Sequence, residues 1–524
     1  MKLIERIWIN NLEDIRKCRQ LALDLAQFRN LMLILIRTYK EKYGKWITSE
    51  SVWYSLIANK TKKDFNNKKD EVLSNILNDK ELKEIFEELK QQKEKIQNTT
   101  VVQTCLRQIR KDFTSYFNAI KEYKKDPSKF TGKPKPPKPK KLRNITKFEV
   151  EFNKNAFKVI DNKVRLTLRK RSEYITLKLP FPMKVTSVRM VLYHGKIYFD
   201  IVYEEENISL KPLGVHKAAI DLGVNNFVTI VSSNSKVDSI VISGGMIKAF
   251  NQWFNKKLAL YRSNLDIVKN EIKDLESKEL EVAEQLKNQE KLWKYAINKL
   301  CVHRKKWIDN FIHQVSQAIA RYLYVTGHDT VYVGSNILEA KQNCNLGKVN
   351  NQNFHFIPFR EFIEKLKYKC AMYGIKVVEV DESYTSKLCP LCENHEGVRL
   401  KRGLFLCDKL VPKRKKKYKK GIIFNADCVG AFNILKRYSK VELSIKTIFK
   451  KLCNPTKFRN IYRFVRYVLQ VTLELLRKGG VEGSQYWIKP TNRKLRVKWL
   501  SRRIFRMFQM VSNDNKRLQV IGGG

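Results

Sequence analysis

Apolar residues recur at three- and four-residue spacing through LEDIRKCRQLALDLAQFRNLMLILIRTYKEKYG, DEVLSNILNDKELKEIFEELKQQ and VVQTCLRQIRKDFTSYFNAIKEY. Residues 1–120 are therefore predicted to be helical after a short opening strand, KLIERIWIN. Over residues 145–213 the period changes to two. KFEVEFNK, FKVIDNKVRLTL, YITLKLP and SVRMVLYHGKIYFDIVYEE alternate apolar and polar positions, and His194-Gly195 reads as a hairpin turn. That pattern predicts a small, mostly antiparallel barrel. HKAAIDLGVNNFVTIVSS, residues 216–233, reads as two apolar strands around a Gly/Asn turn, with KVDSIVISGG as a third strand. From Met246 to about Tyr324 the chain is charged and helical, as a long antiparallel pair. Residues 326–435 then read strand, loop, helix, strand, ribbon, helix. The strand carrying Asp221, VYV at 331–333 and KVVEV at 376–380 are expected side by side and parallel, with FREFIEKLKYKCAMYG as the crossover helix.

Composition adds a partner. The chain has 524 residues, 104 Lys+Arg against 52 Asp+Glu, and a formal net charge of +52. Such a chain repels itself unless a polyanion neutralises it, so nucleic acid is the expected counter-ion. Small packaging proteins share that charge, but 43% hydrophobic and 11% aromatic residues over this length can bury several cores. Residues 126–144, DPSKFTGKPKPPKPKKLRN, hold five prolines and seven Lys/Arg, which excludes a helix interior and predicts an extended basic strap touching phosphates. Among ten cysteines only Cys389 and Cys392 form a close pair, so a reduced cytosol is expected rather than a disulfide framework. LMLILI at 31–36 lies between Arg29 and Arg37, and no apolar run reaches membrane-spanning length. MKLIERIWINN lacks a secretory signal, so the expected location is the cytoplasm. Residues 441–524 carry 19 Lys+Arg and 4 Asp+Glu, which suits an RNA-contacting tail better than a membrane-surface helix.

The candidate chemistry lies at strand ends. Asp221 precedes a Gly/Asn turn, Asp381 and Glu382 follow KVVEV, and Asp427 opens the amphipathic helix in NADCVGAFNILKR. Ligands collect at the carboxyl ends of parallel strands, where Asp221, Gly334 and Glu382 all fall. Continued pleating sends Asp381 and Glu382 to opposite faces. His303 and His313, on a basic helix, read as phosphate or core contacts rather than metal ligands.

VGSNILEAKQNCNLGKVNNQNFHFIPFREFIEKLKYKCAMYGIKVVEVDESYTSK, followed by KRGLF and NADCVGAFNILKR, resembles the TnpB family of transposon-encoded RNA-guided nucleases. The likeness is closest to its Fanzor-related branch, and it extends to the compact type V CRISPR effectors. It covers about residues 215–437, and more weakly FTGKPKPPKPKK and the helices before it. The resemblance implies a multidomain α+β chain. Residues 1–125 would be a helical recognition lobe whose opening strand joins the barrel, 126–144 the strap, and 145–213 a β-barrel wedge domain. Residues 214–387 would be the first part of a RuvC/ribonuclease-H-like nuclease domain with a helical insertion at 247–324. A zinc-ribbon-like insertion would follow at 388–422, the last nuclease helix at 423–440, and a basic extension at 441–524.

Most members of that family carry the middle catalytic Glu at the fourth strand's end, where this chain has Gly334. In the branch with the ESYTSK signature the Glu is relocated to that motif, which gives Glu382 here. Neighbouring strands are about 4.8 Å apart, so a Glu side chain spans much of that displacement. The implied catalytic set is Asp221, Glu382 and Asp427, holding Mg²⁺ or Mn²⁺ ions about 3.5–4 Å apart. The competing sites use Asp381 or Glu339, or lack a third carboxylate. Cys389, Cys392 and Cys407 resemble a zinc ribbon in which Leu410 replaces the expected fourth Cys, leaving His395 or Cys428 to complete the set, or a ribbon without metal. Nucleic-acid contacts are expected from Lys133, Lys135, Lys138, Lys140, Lys141, Tyr384 and Lys387. The implied partners are a guide RNA and double-stranded target DNA, with one or two copies of the chain on one RNA and no membrane. Two other functions stay open at this point: a nuclease-silent RNA-guided repressor and a guide-independent transposase.

Overall fold

The computed structural model describes residues 2–58, 66–130, 132–142, 145–170, 172–204, 210–274, 280–337, 348–392, 397–400, 403–407 and 422–477. They fall into two compact units, Met1–Glu206 and Asn207–Gly524.

In the first unit, strand β1 (Lys2–Trp8) is followed by helices α1 (Leu12–Tyr43), α2 (Glu50–Ala58), α3 (Asn66–Asn78), α4 (Lys80–Lys95) and α5 (Thr99–Lys125). Helix α1 starts where the Asn11 side chain accepts from the Glu13 and Asp14 N–H groups, and it ends at Gly44 in the left-handed region, φ 69°. Its apolar face buries Leu21, Leu25, Phe28, Met32 and Ile36. Strands β2 (Lys147–Phe152), β6 (Lys184–Tyr193) and β7 (Lys196–Glu204) join β1 in an antiparallel sheet ordered β1-β7-β6-β2. The β6–β7 hairpin turns on His194 and Gly195, with φ 47° and 76°, the two positive values that a tight two-residue turn requires. Strands β3 (Phe157–Ile160), β4 (Lys163–Thr167) and β5 (Tyr174–Lys178) form a separate sheet. The expected barrel is thus two antiparallel sheets, and among the described residues no ladder joins them. Pro180 and Pro182, which lack an N–H donor, separate β5 from β6.

The strap is extended, and it is held by its backbone. Arg37 donates to the carbonyls of Pro136 (3.1 Å) and Pro137 (2.6 Å), and Asn30 exchanges two 2.7 Å hydrogen bonds with the Lys140 backbone. Pro134, Pro136, Pro137 and Pro139 are half-buried while Lys133, Lys135, Lys138, Lys140 and Lys141 are all exposed.

The second unit contains a six-stranded sheet of β8 (His216–Leu222), β9 (Asn226–Ser232), β10 (Ile240–Ser243), β11 (His328–Gly334), β12 (Lys376–Val380) and β16 (Thr456–Phe458), ordered β12-β11-β8-β9-β10-β16. Strands β12, β11 and β8 run parallel, with Gly334 opposite Val380 and Val333 opposite Ile220. Helices α6 (Gly245–Asp274) and α7 (Leu280–Val325) connect β10 to β11, and α8 (Lys348–His355) and α9 (Phe359–Met372) connect β11 to β12. A three-stranded ribbon follows, formed by β13 (Val398–Leu400), β14 (Leu404–Cys407) and β15 (Ile422–Asn425), then α10 (Ala426–Ser439), α11 (Ile445–Cys453) and α12 (Ile461–Arg477).

Each sheet face has its own core, and β8 shows why. Ala218, Ile220 and Leu222 pack with residues of α7, α9 and α12, whereas Ala219 packs with residues of α10, α11 and the ribbon. Period two then puts Asp221 on the face of Ala219, toward α10.

The region after Arg437 differs from the expected tail. Strand β16 pairs in parallel with β10 as the sixth strand, and α12 buries Ile461, Phe464 and Val468 in the core of the six-stranded sheet. A three-residue strand is too short to show a period, and the apolar face of α12 finds the sheet rather than a partner. The more distal basic segment, residues 478–524, lies outside the described residues. Among the described residues no helix is long and apolar enough to cross a membrane.

Candidate functional site

Asp221, Glu382 and Asp427 come from three distant segments, and Asp221 lies within the electrostatic reach of the other two. Burial pushes the Asp221 carboxyl well above the usual carboxylate range, and the charges of Glu382 and then Asp427 push it further, against the Arg399 guanidinium. Helix α10 approaches Asp221 so closely that a Cβ at Gly430 would lie 3.1 Å from its Oδ2. A mid-helix glycine costs about 1 kcal/mol relative to alanine, and here it gives the carboxylate its room. Asp427 stands in the first turn of α10, where the Asn425 side chain caps the helix by accepting from the Cys428 N–H at 3.0 Å and the N-terminal dipole favours an anion. The Asn226 amide donates to Asp427 at 2.5 Å and Arg399 donates at 3.3 Å.

Glu382 fills the end of β11 from the neighbouring strand. A Cβ built on Gly334 would lie 1.9 Å from Glu382 Oε2, so no side chain at 334 can share that space with this carboxylate. Oε2 is buried and has no hydrogen-bond partner. Burial pushes Glu382 up to about 7, against the pull of the Ile337 N–H on its charged form. The adjacent Asp381 is exposed and serves the loop instead. It accepts from the Ser383 hydroxyl (2.6 Å), the Ser383 N–H (2.9 Å) and Asn336 (2.5 Å), and these hold it down at about 2. Asn433 donates to the carbonyls of Thr385 (2.7 Å) and Leu388 (2.8 Å), Arg437 to that of Ser383 (3.1 Å) and Tyr438 to that of Asp381 (2.8 Å). The ESYTSK loop is thereby tied to α10 and to the end of β11. Glu339 lies outside the described residues.

The second cluster is made of sulfur. Cys389, Cys392 and Cys407 have their Sγ atoms within 4.8 Å of one another, the one such group of three potential ligands among the described residues. Cys392 and Cys407 stand 3.6 Å apart, and the Cys392 N–H donates to Cys389 Sγ at 3.4 Å. Cys428 is not part of this group. Burial pushes its thiol up, and the charges of Asp427 and Asp221 add to that, so it belongs beside the carboxylates. His395 and Leu410 lie outside the described residues, as does the basic stretch VPKRKKKYKK.

Tyr384 is 68% exposed with φ 64°, a sparsely populated conformation for an aromatic residue, and Lys387 Nζ sits 5.8 Å from its ring centroid. The residues that sequence reasoning missed are Asn226, Arg399 and Asn433. Asn226 stands in the same GVNN turn that delivers Asp221, and that proximity was the available signal. Arg399 is one of 104 basic residues, and nothing local distinguishes it.

Residues 200–338 match the family described as probable transposase, and residues 359–434 match the Cas12f1-like TNB domain. A TnpB-like protein of Acidianus two-tailed virus is 28% identical over 240 residues, 45% of this chain and 44% of that protein. The chain thus spans less than half the length of that relative. A putative transposase of Methanocaldococcus jannaschii is 36% identical over 87 residues, 16% of this chain and 76% of that protein. Two solved structures, a Cas12f1–sgRNA–target DNA complex and a CRISPR-Cas12f ternary complex, align with TM-scores of 0.28 and 0.30 at 17% and 15% identity. They cover 83% and 82% of this chain, and 98% and 83% of their own. By the sequence matches, the chain belongs to the TnpB family and is related to the compact type V effectors.

Proposed function

We propose that this chain is an RNA-guided DNA endonuclease that hydrolyses phosphodiesters with divalent ions held by Asp221, Glu382 and Asp427. The observation that carries this reading is the exchange at the sheet edge: Gly334 vacates a strand end, and Glu382 Oε2 occupies that space, buried and unpartnered. A buried carboxylate oxygen with no donor is costly unless a proton or a cation meets it. The donor set is all oxygen, which fits Mg²⁺ or Mn²⁺. Bound there, such ions supply an activated water and neutralise charge on the leaving oxygen.

The chain's own residues do the rest. Asn226 and the α10 N-terminus fix Asp427, while Asn336, Asn433 and Arg437 hold the loop that presents Glu382. Asp221 and Glu382 are both pushed up, so a cation bound between them would favour release of their protons. The exposed lysines of the strap, with Tyr384 and Lys387 beside the site, supply phosphate and base contacts to a guide RNA and its DNA target. Cys389, Cys392 and Cys407 would hold a structural zinc ion with a fourth ligand from elsewhere.

The test is incubation of the chain, purified with its co-purifying RNA, with Mg²⁺ and DNA matched to that RNA. Cutting that is lost with chelator, with ribonuclease and in Glu382→Ala supports the reading. Matched binding without cutting identifies a silent repressor, and cutting that survives ribonuclease removes the guide from the mechanism.

A further inference from the structure

The α6–α7 hairpin has a polarised charge that the proposed site does not use. Residues 245–265 and 291–308, its basal half, contain ten Lys/Arg and no Asp or Glu, whereas residues 266–290 contain eight Asp/Glu and four Lys. The basal half adjoins the catalytic turn: Lys248 Nζ donates to Asn225 Oδ1 at 2.7 Å, and the neighbouring Asn226 holds Asp427. From there a ladder of rings runs outward. Buried Phe311 stacks on Trp307 (5.5 Å, 9°), Trp307 on Phe250 (3.9 Å, 12°), and Phe250 meets Trp253 (5.6 Å, 31°). The ladder ends at Trp253, 42% exposed, with the exposed His303 ring set against it at 5.9 Å and 76°. Trp253 lies five residues beyond Lys248, about 7.5 Å along the helix axis. Lys256 and Lys257, both exposed, stand three and four residues further along the same face.

We propose that Trp253 and His303 form a stacking notch for an unpaired nucleobase of single-stranded DNA passing the catalytic turn, with Lys256 and Lys257 on its phosphates. Three observations select this ligand. The inner rings already satisfy the core, so Trp253 adds little to it while presenting a large π-face. Every Lys, Arg, Asp or Glu within residues 245–265 and 291–308 is cationic, and the acid next along the chain, Asp309, is paired with Lys305. A base stacks on an aromatic face without regard to sequence, as a strand bound for cutting requires. A protein helix is the other occupant that the apolar spacing of Trp253, Leu260 and Ile267 would suit, but Ile267 lies in the acidic half while the notch lies in the half without acid.

This inference rests on the nuclease reading for its strand, and its test is independent of cutting. In an Asp221→Ala background with chelator present, the chain is irradiated with oligodeoxythymidine carrying one 5-iododeoxyuridine, and the cross-linked peptide is identified. Cross-linking to Trp253 or His303 is expected. Trp253→Ala is expected to lower affinity for the oligonucleotide by about 5- to 100-fold, Trp253→Phe to retain most of it, and Lys256→Gln/Lys257→Gln to flatten its salt dependence. Unchanged affinity in a folded Trp253→Ala chain overturns the proposal. So does preference for an oligouridine RNA of the same length, or a change in oligomeric state in place of a change in DNA affinity. A chain that never cuts but cross-links at Trp253 loses the nuclease reading and keeps this one.

Discussion

Two clusters in the same unit gather potential metal ligands in opposite ways. The thiols of Cys389, Cys392 and Cys407 lie within 4.8 Å of one another, and they come from one segment of 19 residues. The carboxylates of Asp221, Glu382 and Asp427 come from a strand, a loop and a helix spread over 207 residues of chain, and they do not close to that distance. Neutral thiols can crowd without a metal. Ionised carboxylates repel one another, and at Asp221 the charges of Glu382 and Asp427 raise the pKa. The difference teaches that an oxygen site is visible in a metal-free chain through raised pKa values and an unpartnered oxygen, while a sulfur site is visible through distance alone.

The largest expected effect separates the candidate carboxylates. Asp221→Ala and Glu382→Ala should each lower cutting by about 10²–10³-fold or more, while Glu339→Ala leaves it near the parent rate. Equal loss in Glu339→Ala, measured on matched DNA with Mg²⁺, would sink the assignment of Glu382. A sharper variant moves the carboxylate back. Gly334→Glu alone should collide with Glu382 and lose activity, and Gly334→Glu combined with Glu382→Ala should recover part of it.

The thiol cluster predicts a smaller effect on a different quantity. Metal analysis should find a single zinc ion per chain, and Cys407→Ser should remove it and lower Tm by several degrees. A metal-free parent chain of equal stability would show the ribbon to be a thiol core. Proton linkage gives the next contrast. The Glu382 pKa is raised in the fold, so between about 4.5 and about 7 the folded metal-free chain binds more protons than the unfolded one. Its contribution to stability is therefore full at the acid end of that window and falls as pH rises through it. Denaturant titrations in chelator should show this slope, Glu382→Gln should flatten it, and Mg²⁺ at pH 8 should restore stability to the parent alone. Smallest is the supporting shell. Asn433→Ala leaves the Thr385 and Leu388 carbonyls without their donor and should cost about 1–3 kcal/mol. The half-exposed Arg399–Asp427 pair should contribute no more than about 1 kcal/mol, so Arg399→Ala should scarcely move Tm.

Much of the architecture follows from local pattern. The apolar runs around Asp221, at 331–333 and at 376–380 announce three strands, and the amphipathic stretch between the last two announces the helix that makes them parallel. His194-Gly195 announces its turn by needing two positive φ values. The opening strand KLIERIWIN reads as a strand, but nothing local says that it pairs with Lys196–Glu204. Strand β16 shows no period at three residues. The two sheets of the first unit read as one barrel because alternation is the same in both.

The sequence by itself determined most of the strands and helices, which carboxylates fall at strand ends, and that the chain needs a polyanion, since period and charge are local properties. Only the tertiary structure decided that Glu382 occupies the space beside Gly334, that Asn226 and Arg399 meet Asp427, and that Asp381 turns away. Those contacts join segments tens to hundreds of residues apart, and they are set by how one strand lies against the next and one helix against the sheet, which no window along the chain can contain.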